Sequence, residues 1–175
     1  MTDQPADAKS KLLESLRSSG KELLAKLEGL PAEALDAGCY ENGWNGRQVL
    51  AHIAAIEWTY PRLIDIARNG PPEKKPDAPT TSKPVKGGIN SYNDRQIERY
   101  ADATVAELLE IFRKNRETTI STIEATEDEL FAVEIKSAGG IKGPLATVLN
   151  MVAVMHVGVH VNDVLDSAAK AQASS

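Results

Sequence analysis

The segment from Met151 to Asp166, MVAVMHVGVHVNDVLD, constrains the fold of this chain more than any other stretch. Residues 145–161 are apolar at almost every position, which is typical of a helix buried on all sides. His156 and His160 stand four residues apart within it, so both imidazoles lie on one face of that helix, one turn from each other. We therefore expect a helix over about residues 144–169 to be the most buried of the fold.

Three further helices are predicted, over about residues 6–28, 45–69 and 90–125. Leucines and other apolar residues recur in them at helical spacing, and alanine, glutamate and lysine fill the remaining positions. Asn45 is a good N-cap residue for the second helix, in which Pro61 removes one hydrogen bond and can introduce a kink. Thr104 and Glu107 form a capping box, so the third region is expected to restart at Thr104. Four long helices indicate an all-α fold, a four-helix bundle.

Bulk composition excludes several classes of protein. The 175 residues suit a single domain, predicted over residues 1–175, and the net charge of -5 argues against nucleic-acid binding. No apolar run approaches the roughly 20 residues of a membrane span, and the N-terminus has no apolar signal region, so we expect a cytoplasmic protein without membrane contact. The single cysteine, Cys39, excludes an internal disulfide.

The third histidine of the chain, His52, provides a test of topology. It lies about 10 Å from the start of the second predicted helix, and His160 lies about 13 Å from the end of the fourth. The two residues reach the same level only if these helices are antiparallel, since parallel helices would offset them by roughly 14 Å. A shared site therefore predicts an up-down-down-up bundle. The proline-rich connection of residues 70–88, between the second and third helices, is long enough for the required crossover.

Three histidine nitrogens with an open coordination position form the pattern of a catalytic metal site, whereas structural zinc sites are closed by four ligands. We therefore consider His52, His156 and His160 as candidate metal ligands. The alternative is that they are ordinary core residues with satisfied hydrogen bonds. Asp163, one turn beyond His160, either orients a ligand, is itself a fourth ligand, or is a solvated residue near a helix end. Glu57 lies about 140° round the helix from His52 and is not counted as a ligand.

Several residues near the helix starts are candidates for a pocket. Trp44, just before the second helix, is either a packing residue or part of the pocket wall. At the head of the third helix, Asn90, Tyr92, Asn93 and Arg95 are expected at the pocket mouth.

Two motifs make the chain similar to a known family. The segment GWNGRQVLAHIAAIEWTY resembles the W-x-x-R-x-v-l-x-H-l-x-x-x-E element of the DinB-like superfamily, and HVGVH followed by Asp163 resembles the H-x-x-x-H of its last helix. The resemblance implies an up-down-down-up four-helix bundle. It also implies a three-ligand divalent metal site, often with zinc or nickel, on His52, His156 and His160. The superfamily includes mycothiol-dependent maleylpyruvate isomerases and thiol S-transferases. Its isomerase branch has an additional C-terminal domain, which we do not expect here, and this weakens the assignment to that branch.

The leading functional hypothesis is a metal-dependent enzyme of the thiol S-transferase or isomerase type that uses a low-molecular-weight thiol and a small-molecule substrate. The alternative is a non-catalytic small-molecule-binding or stress-response bundle protein. A third is a structural bundle that dimerises through an apolar helix face. The residues leave open the catalytic groups, the substrate and the oligomeric state, for which a homodimer is the common case. Nitrogen ligands by themselves suit zinc, nickel, iron and copper alike.

Overall fold

The computed structural model describes residues 4–36, 43–71 and 88–173 of the chain. Its α-helices are α1 (Pro5–Glu28), α2 (Ala32–Asp36), α3 (Gly46–Glu57), α4 (Pro61–Asn69), α5 (Gly88–Arg99), α6 (Val105–Glu124), α7 (Leu145–Asn150) and α8 (His156–Ala173). A 3₁₀ helix (Asp128–Ala132) and a two-stranded antiparallel ribbon of β1 (Glu134–Lys136) and β2 (Lys142–Pro144) lie between α6 and α7. Met151–Met155 form a π-helical turn that joins α7 to α8 in one continuous helix.

These elements form a four-helix bundle in which α1 is helix 1, α3 with α4 is helix 2, α6 is helix 3, and α7 to α8 is helix 4. Ion pairs mark the direction of helix 3 against helix 1, because Arg113 lies 2.9 Å from Glu28 and Asp128 lies 2.9 Å from Lys9. The start of one helix thus meets the end of the other, and the two are antiparallel.

Helices 2 and 3 run parallel. At their starts Arg47 donates to the carbonyl of Ala103 over 3.4 Å, and at their ends Arg68 and Glu127 are 2.8 Å apart. In contrast, α3 packs against α8 while α4 packs against α7, so helices 2 and 4 are antiparallel. The predicted all-α, up-down-down-up bundle is confirmed. Parallel helices 2 and 3 require the chain between α4 and α6 to recross the bundle. Helix α5 covers part of that path along α3, from Tyr92, bonded to Trp58, toward Ala103, bonded to Arg47. Most of the connection between α4 and α5 lies outside the described residues.

The caps of helices 2 and 3 follow the sequence. The Asn45 side chain accepts from the backbone N–H of Gln48, whose own side chain accepts from the Asn45 N–H. Thr104 and Glu107 form the same reciprocal capping box at the start of α6. These bonds satisfy backbone donors that have no partner inside the helix, and both helix starts are confirmed.

The second predicted helix, 45–69, is divided. A turn over residues 58–60, with backbone bonds to the third preceding residue, separates α3 from α4. Pro61 then takes the first position of α4, where its missing N–H costs nothing. The third predicted helix, 90–125, is likewise interrupted between Arg99 and Val105, and restarts after Thr104 as expected.

Two clusters of buried apolar residues fill the bundle, one at each end. The cluster around the α3–α8 contact contains Leu23, Leu27, Leu35, Val49, Leu50, Ala51, Ile53, Ala54, Leu108, Leu109, Phe112, Val157, Val161 and Val164. The cluster around the α4–α7 contact contains Leu12, Leu16, Tyr60, Leu63, Ile64, Ile123, Phe131, Ile135, Leu145, Ala146, Val148, Leu149 and Ala153.

Helix 4 is not buried on all sides, which corrects the expectation drawn from its sequence. Met151, Met155 and Val159 form an exposed stripe, with 42%, 54% and 57% of their surface accessible. The helix forms one wall of the bundle, so neighbours cover only its inner face. By length and composition alone, Leu145–Lys170 could cross a membrane, but the core helix of a bundle meets the same criteria.

Candidate metal centre

The three histidines of the chain lie together. His52 projects from α3, and His156 and His160 project from the first two turns of α8. Each offers one ring nitrogen, and these three atoms lie within 4.8 Å of one another. The Nε2 atoms of His156 and His160 are 3.0 Å apart. His52 and His160 thus lie at the same height of antiparallel helices, as their positions in the sequence predicted for a shared site.

The cluster has one closed side and one open side. His52, on helix 2, is only 4% exposed and forms the closed side of the cluster. His156 and His160, on helix 4, are half-buried and form its open side. The His52 ring meets the other two edge-on, with centroids 5.5 Å and 5.2 Å away. A small ligand would therefore approach the nitrogens from the side of helix 4.

The environment keeps all three rings neutral at physiological pH. Burial, together with repulsion from His160 and His156, lowers the pKa of His52 to about 3. Burial also lowers the pKa of His156 and of His160, partly offset at His160 by the nearby carboxylate of Asp163. A neutral imidazole keeps a lone pair on one nitrogen, which is the form that binds a metal ion.

The rings of His156 and His160 differ in their hydrogen bonds. The His156 ring donates to the backbone carbonyl of Val152, one turn earlier, and this bond leaves its Nε2 directed at His160. The Nδ1 of His160 is buried with no hydrogen-bond partner among the described residues. The Oδ2 of Asp163 lies 4.0 Å from that atom, too far for a hydrogen bond. Asp163 thus sits where a group that orients His160 would be placed.

The residues present fit a divalent metal ion. Two nitrogens each 2.0–2.1 Å from a tetrahedral zinc ion are about 3.3 Å apart, close to the separation of His156 and His160. Neutral nitrogens are the donors such an ion prefers, and the Nε2 atoms of His156 and His160 face each other over that short distance. No fourth protein ligand from the described residues joins the cluster, so a coordination position would remain open.

The predicted pocket residues do not converge on one place. The ring of Trp44 lies 5.3 Å from the ring of His52. Tyr92 instead accepts a hydrogen bond from the indole of Trp58, over 3.1 Å. Asn93 has a buried side-chain oxygen without a hydrogen-bond partner in the described ranges, and Arg95 is exposed. The side chain of Asn90 lies outside the described residues.

A surface cavity of about 400 Å³ lies beside the cluster, between α3 and α5. Its walls are Trp44, Asn45, Arg47, Gln48, Ala51, Asp94, Ile97, Glu98, Tyr100 and Ala101. Of the expected pocket residues whose side chains are described, only Trp44 lines it, and its ring stands next to His52. Tyr92, Asn93 and Arg95 do not line this cavity, and their expected place at the mouth of a pocket beside the histidines stays a prediction. They occupy other positions because α5 turns its Asp94, Ile97 and Glu98 toward α3.

Sequence reasoning missed a polar cluster beneath the histidines. Glu57 is fully buried, Arg116 is 4% exposed, and the two form an ion pair. The signal in the sequence was weak but present. Arg116 follows Phe112 by four residues and precedes Thr119 by three, so it occupies the buried stripe of helix 3.

Comparison with known proteins supports the same fold. Residues 16–165 match the family model "Mycothiol maleylpyruvate isomerase N-terminal domain". A search of curated protein sequences found no significant match.

Among solved structures, a mycothiol-dependent maleylpyruvate isomerase is 16% identical, with a TM-score of 0.68 over 93% of this chain. This chain spans 63% of that protein.

YfiT from Bacillus subtilis, described as a probable metal-dependent hydrolase with an unusual four-helix bundle topology, is also 16% identical, with a TM-score of 0.68 over 94% of this chain and 87% of YfiT. An uncharacterized protein from Clostridium difficile 630 is 14% identical, with a TM-score of 0.67 over 90% of this chain and 94% of the other. Since the family model covers most of the sequence, this chain belongs to the mycothiol maleylpyruvate isomerase N-terminal domain family, a group of DinB-like four-helix bundles.

Proposed function

We propose that this chain is a metal-dependent enzyme of the thiol S-transferase or isomerase type, with His52, His156 and His160 as ligands of a divalent ion, zinc or nickel. The observation that carries the proposal is the convergence of three neutral histidine nitrogens within 4.8 Å, open on one side. Family membership adds support, because a structural relative is named as a mycothiol-dependent isomerase.

Each part of the site has a defined role in this proposal. When bound, a divalent ion held by three nitrogens supplies a Lewis acid that lowers the pKa of a thiol or water in its open position. His52 anchors the site, since its burial in α3 fixes its position. His156 and His160 stand at the open side, where a thiol and an electrophilic substrate can enter. Burial of the three rings excludes protons that would compete for the nitrogens.

The first test is elemental analysis of untagged protein purified without a nickel column or chelator. Near-stoichiometric metal in the wild type, and its loss in His52→Ala, is the expected result. Absence of metal from the wild type, even after incubation with zinc or nickel, would overturn the proposal.

The second test is turnover of monochlorobimane with a panel of thiols that includes mycothiol, cysteine and glutathione. His156→Ala should abolish the metal-dependent rate, whereas Met155→Ala, at the exposed neighbouring position, should retain it. If activity persists in His156→Ala, the metal does not carry the chemistry.

The cavity next to Trp44 favours a second candidate, a non-catalytic protein that binds a small molecule. A volume of about 400 Å³ is within the usual range of ligand sites, and His52 does not line it. In this alternative, ligands would raise the melting temperature without being chemically changed. Ala101→Trp, at an exposed position of the cavity wall, would abolish that effect while leaving metal content unchanged.

A further inference from the structure

The π-helical turn of Met151–Met155 ends directly at a candidate ligand. In this turn the backbone N–H of His156 donates to the carbonyl of Met151, five residues earlier instead of four. One additional residue per turn rotates the following side chains by about 100° relative to an uninterrupted α-helix. The directions of His156 and His160 therefore depend on whether this turn is maintained.

Side chains from two other helices bind consecutive carbonyls of the turn. The hydroxyl of Tyr60, in helix 2, donates to the carbonyl of Val152 over 2.6 Å. The guanidinium of Arg116, in helix 3, donates to the carbonyl of Ala153 over 2.6 Å. Both donors are almost fully buried, so water does not compete for these bonds. Side-chain bonds to carbonyls are a known cause of departures from regular α-helical geometry.

Arg116 is itself held in place from two directions. Its Nε and Nη2 atoms lie 2.6 Å and 3.0 Å from the carboxylate of Glu57, and its Nη1 donates to the carbonyl of Leu16 over 3.2 Å. Glu57 belongs to the same helix as His52, five residues later. The Glu57–Arg116 ion pair thus links the helix that contains His52 to the π-helical turn that sets the direction of the His156 side chain.

The Val152 carbonyl links Tyr60 to the ring of His156. It accepts hydrogen bonds from the Tyr60 hydroxyl and from the His156 ring. The ring bond leaves Nε2 of His156 directed at the other two histidines. The position of this single carbonyl therefore determines how the His156 ring is presented.

We propose that Tyr60 and Arg116 are positioning residues of the candidate metal centre, which hold the π-helical turn so that His156 faces His52 and His160. This inference rests on the proposed metal-dependent function. Neither residue touches the ion or substrate, and both act through the backbone of helix 4. Glu57 keeps Arg116 in the required orientation.

Tyr60→Phe tests the proposal with little change in packing, because only the hydroxyl is removed. Loss of a group that orients a ligand typically weakens metal binding 10- to 100-fold, and we expect a change of that size for zinc in competition with a chelator. Arg116→Lys, which keeps the charge beside Glu57 but not the planar guanidinium, should act in the same direction.

Thr126→Val is the matched control. Its buried hydroxyl also donates to a helix carbonyl, that of Thr122 over 2.7 Å, but this bond lies at the end of helix 3 and does not involve the π-helical turn. This variant should lose comparable stability and retain wild-type zinc affinity. If Tyr60→Phe and Thr126→Val bind zinc with the same affinity, the proposal is overturned, and metal binding by the wild type would still stand.

A second readout needs no metal. In the metal-free protein, the rings of His52 and His156 lie 5.5 Å apart and should give nuclear Overhauser effects between them. We expect these to weaken in Tyr60→Phe and to persist in Thr126→Val. Unchanged effects in Tyr60→Phe would contradict a positioning role whether or not the wild type binds metal.

Discussion

Arg116 and Glu57 form an ion pair that water does not reach, with the Arg116 Nε 2.6 Å from the Glu57 Oε1. Burial raises the pKa of Glu57 to about 7, although the guanidinium beside it acts in the opposite direction. The Arg116 side chain also bonds helix 1 at Leu16 and helix 4 at Ala153. One side chain of helix 3 therefore contacts all three other helices of the bundle.

Removal of one member of this pair should be strongly destabilising. Arg116→Met leaves the Glu57 carboxyl buried without its partner and should cost about 3–5 kcal/mol in the free energy of unfolding. The double variant Glu57→Leu with Arg116→Met should recover much of that loss, since it buries no charge. Urea denaturation of the single and double variants measures the coupling. If the double variant instead loses as much unfolding free energy as the two single variants together, the two residues do not act as a pair.

The stability of the metal-free protein should fall as the pH is lowered below 6.5. The pKa of His52 is about 3 in the folded state and 6.5 as an unperturbed side chain, so the unfolded chain takes up the proton first. The stabilising contribution of neutral His52 is thus fully present above pH 6.5 and is lost as the pH falls toward 3. The expected slope is about 1.4 kcal/mol per pH unit for one proton.

The comparison that isolates this effect uses His52→Leu, which cannot titrate. Glu57 contributes with opposite sign, because its raised pKa makes the folded state bind the proton first, but it is common to both proteins and cancels. Urea midpoints at pH 7.5, 6.0 and 4.5 should diverge between wild type and variant. If the urea midpoints of wild type and His52→Leu change with pH in the same way, burial does not lower the pKa of His52.

The N-cap of α3 should stabilise the start of the helix that carries His52. Asn45→Ala removes one hydrogen bond to the backbone of Gln48 and should cost about 1 kcal/mol. Asn45→Asp, which keeps an acceptor at the same position, should remain close to wild type. Thermal unfolding distinguishes the two variants. Equal losses in both would show that the cap hydrogen bond is not the cause.

Core and surface positions of the bundle should respond differently to truncation. Leu108 is fully buried, and Leu108→Ala should cost about 2–5 kcal/mol, because it leaves a cavity. Met155 is 54% exposed, and Met155→Ala should change stability by no more than about 0.5 kcal/mol in the monomer. Denaturation at several protein concentrations measures both. A large, concentration-dependent loss in Met155→Ala would show that the exposed stripe is covered by another chain.

The bundle and its histidine cluster could be predicted from the sequence because helix geometry is regular. Helical periodicity placed each histidine at a known height, and only antiparallel helices 2 and 4 bring His52 and His160 to one level. Asn45 and Thr104 cap their helices through hydrogen bonds to residues three positions later. Their capping role could therefore be predicted from the sequence without tertiary information.

The pocket residues could not be predicted in the same way. Tyr92, Asn93 and Arg95 share a helix head near the site, but their direction depends on how α5 rotates against α3. That rotation results from packing between distant segments. Sequence spacing along one helix contains no information about it. Among the expected residues with described side chains, Trp44 alone lines the cavity.

The sequence by itself determined the four helices, their order and the three histidines that converge, because these follow from local periodicity and helix rise. The tertiary structure alone decided the π-helical turn, the exposed stripe of helix 4, and the bonds from Tyr60 and Arg116 to Val152 and Ala153. Those bonds join residues 92 and 37 positions apart. Such pairings depend on which side chains meet in the folded core, and no local pattern specifies them.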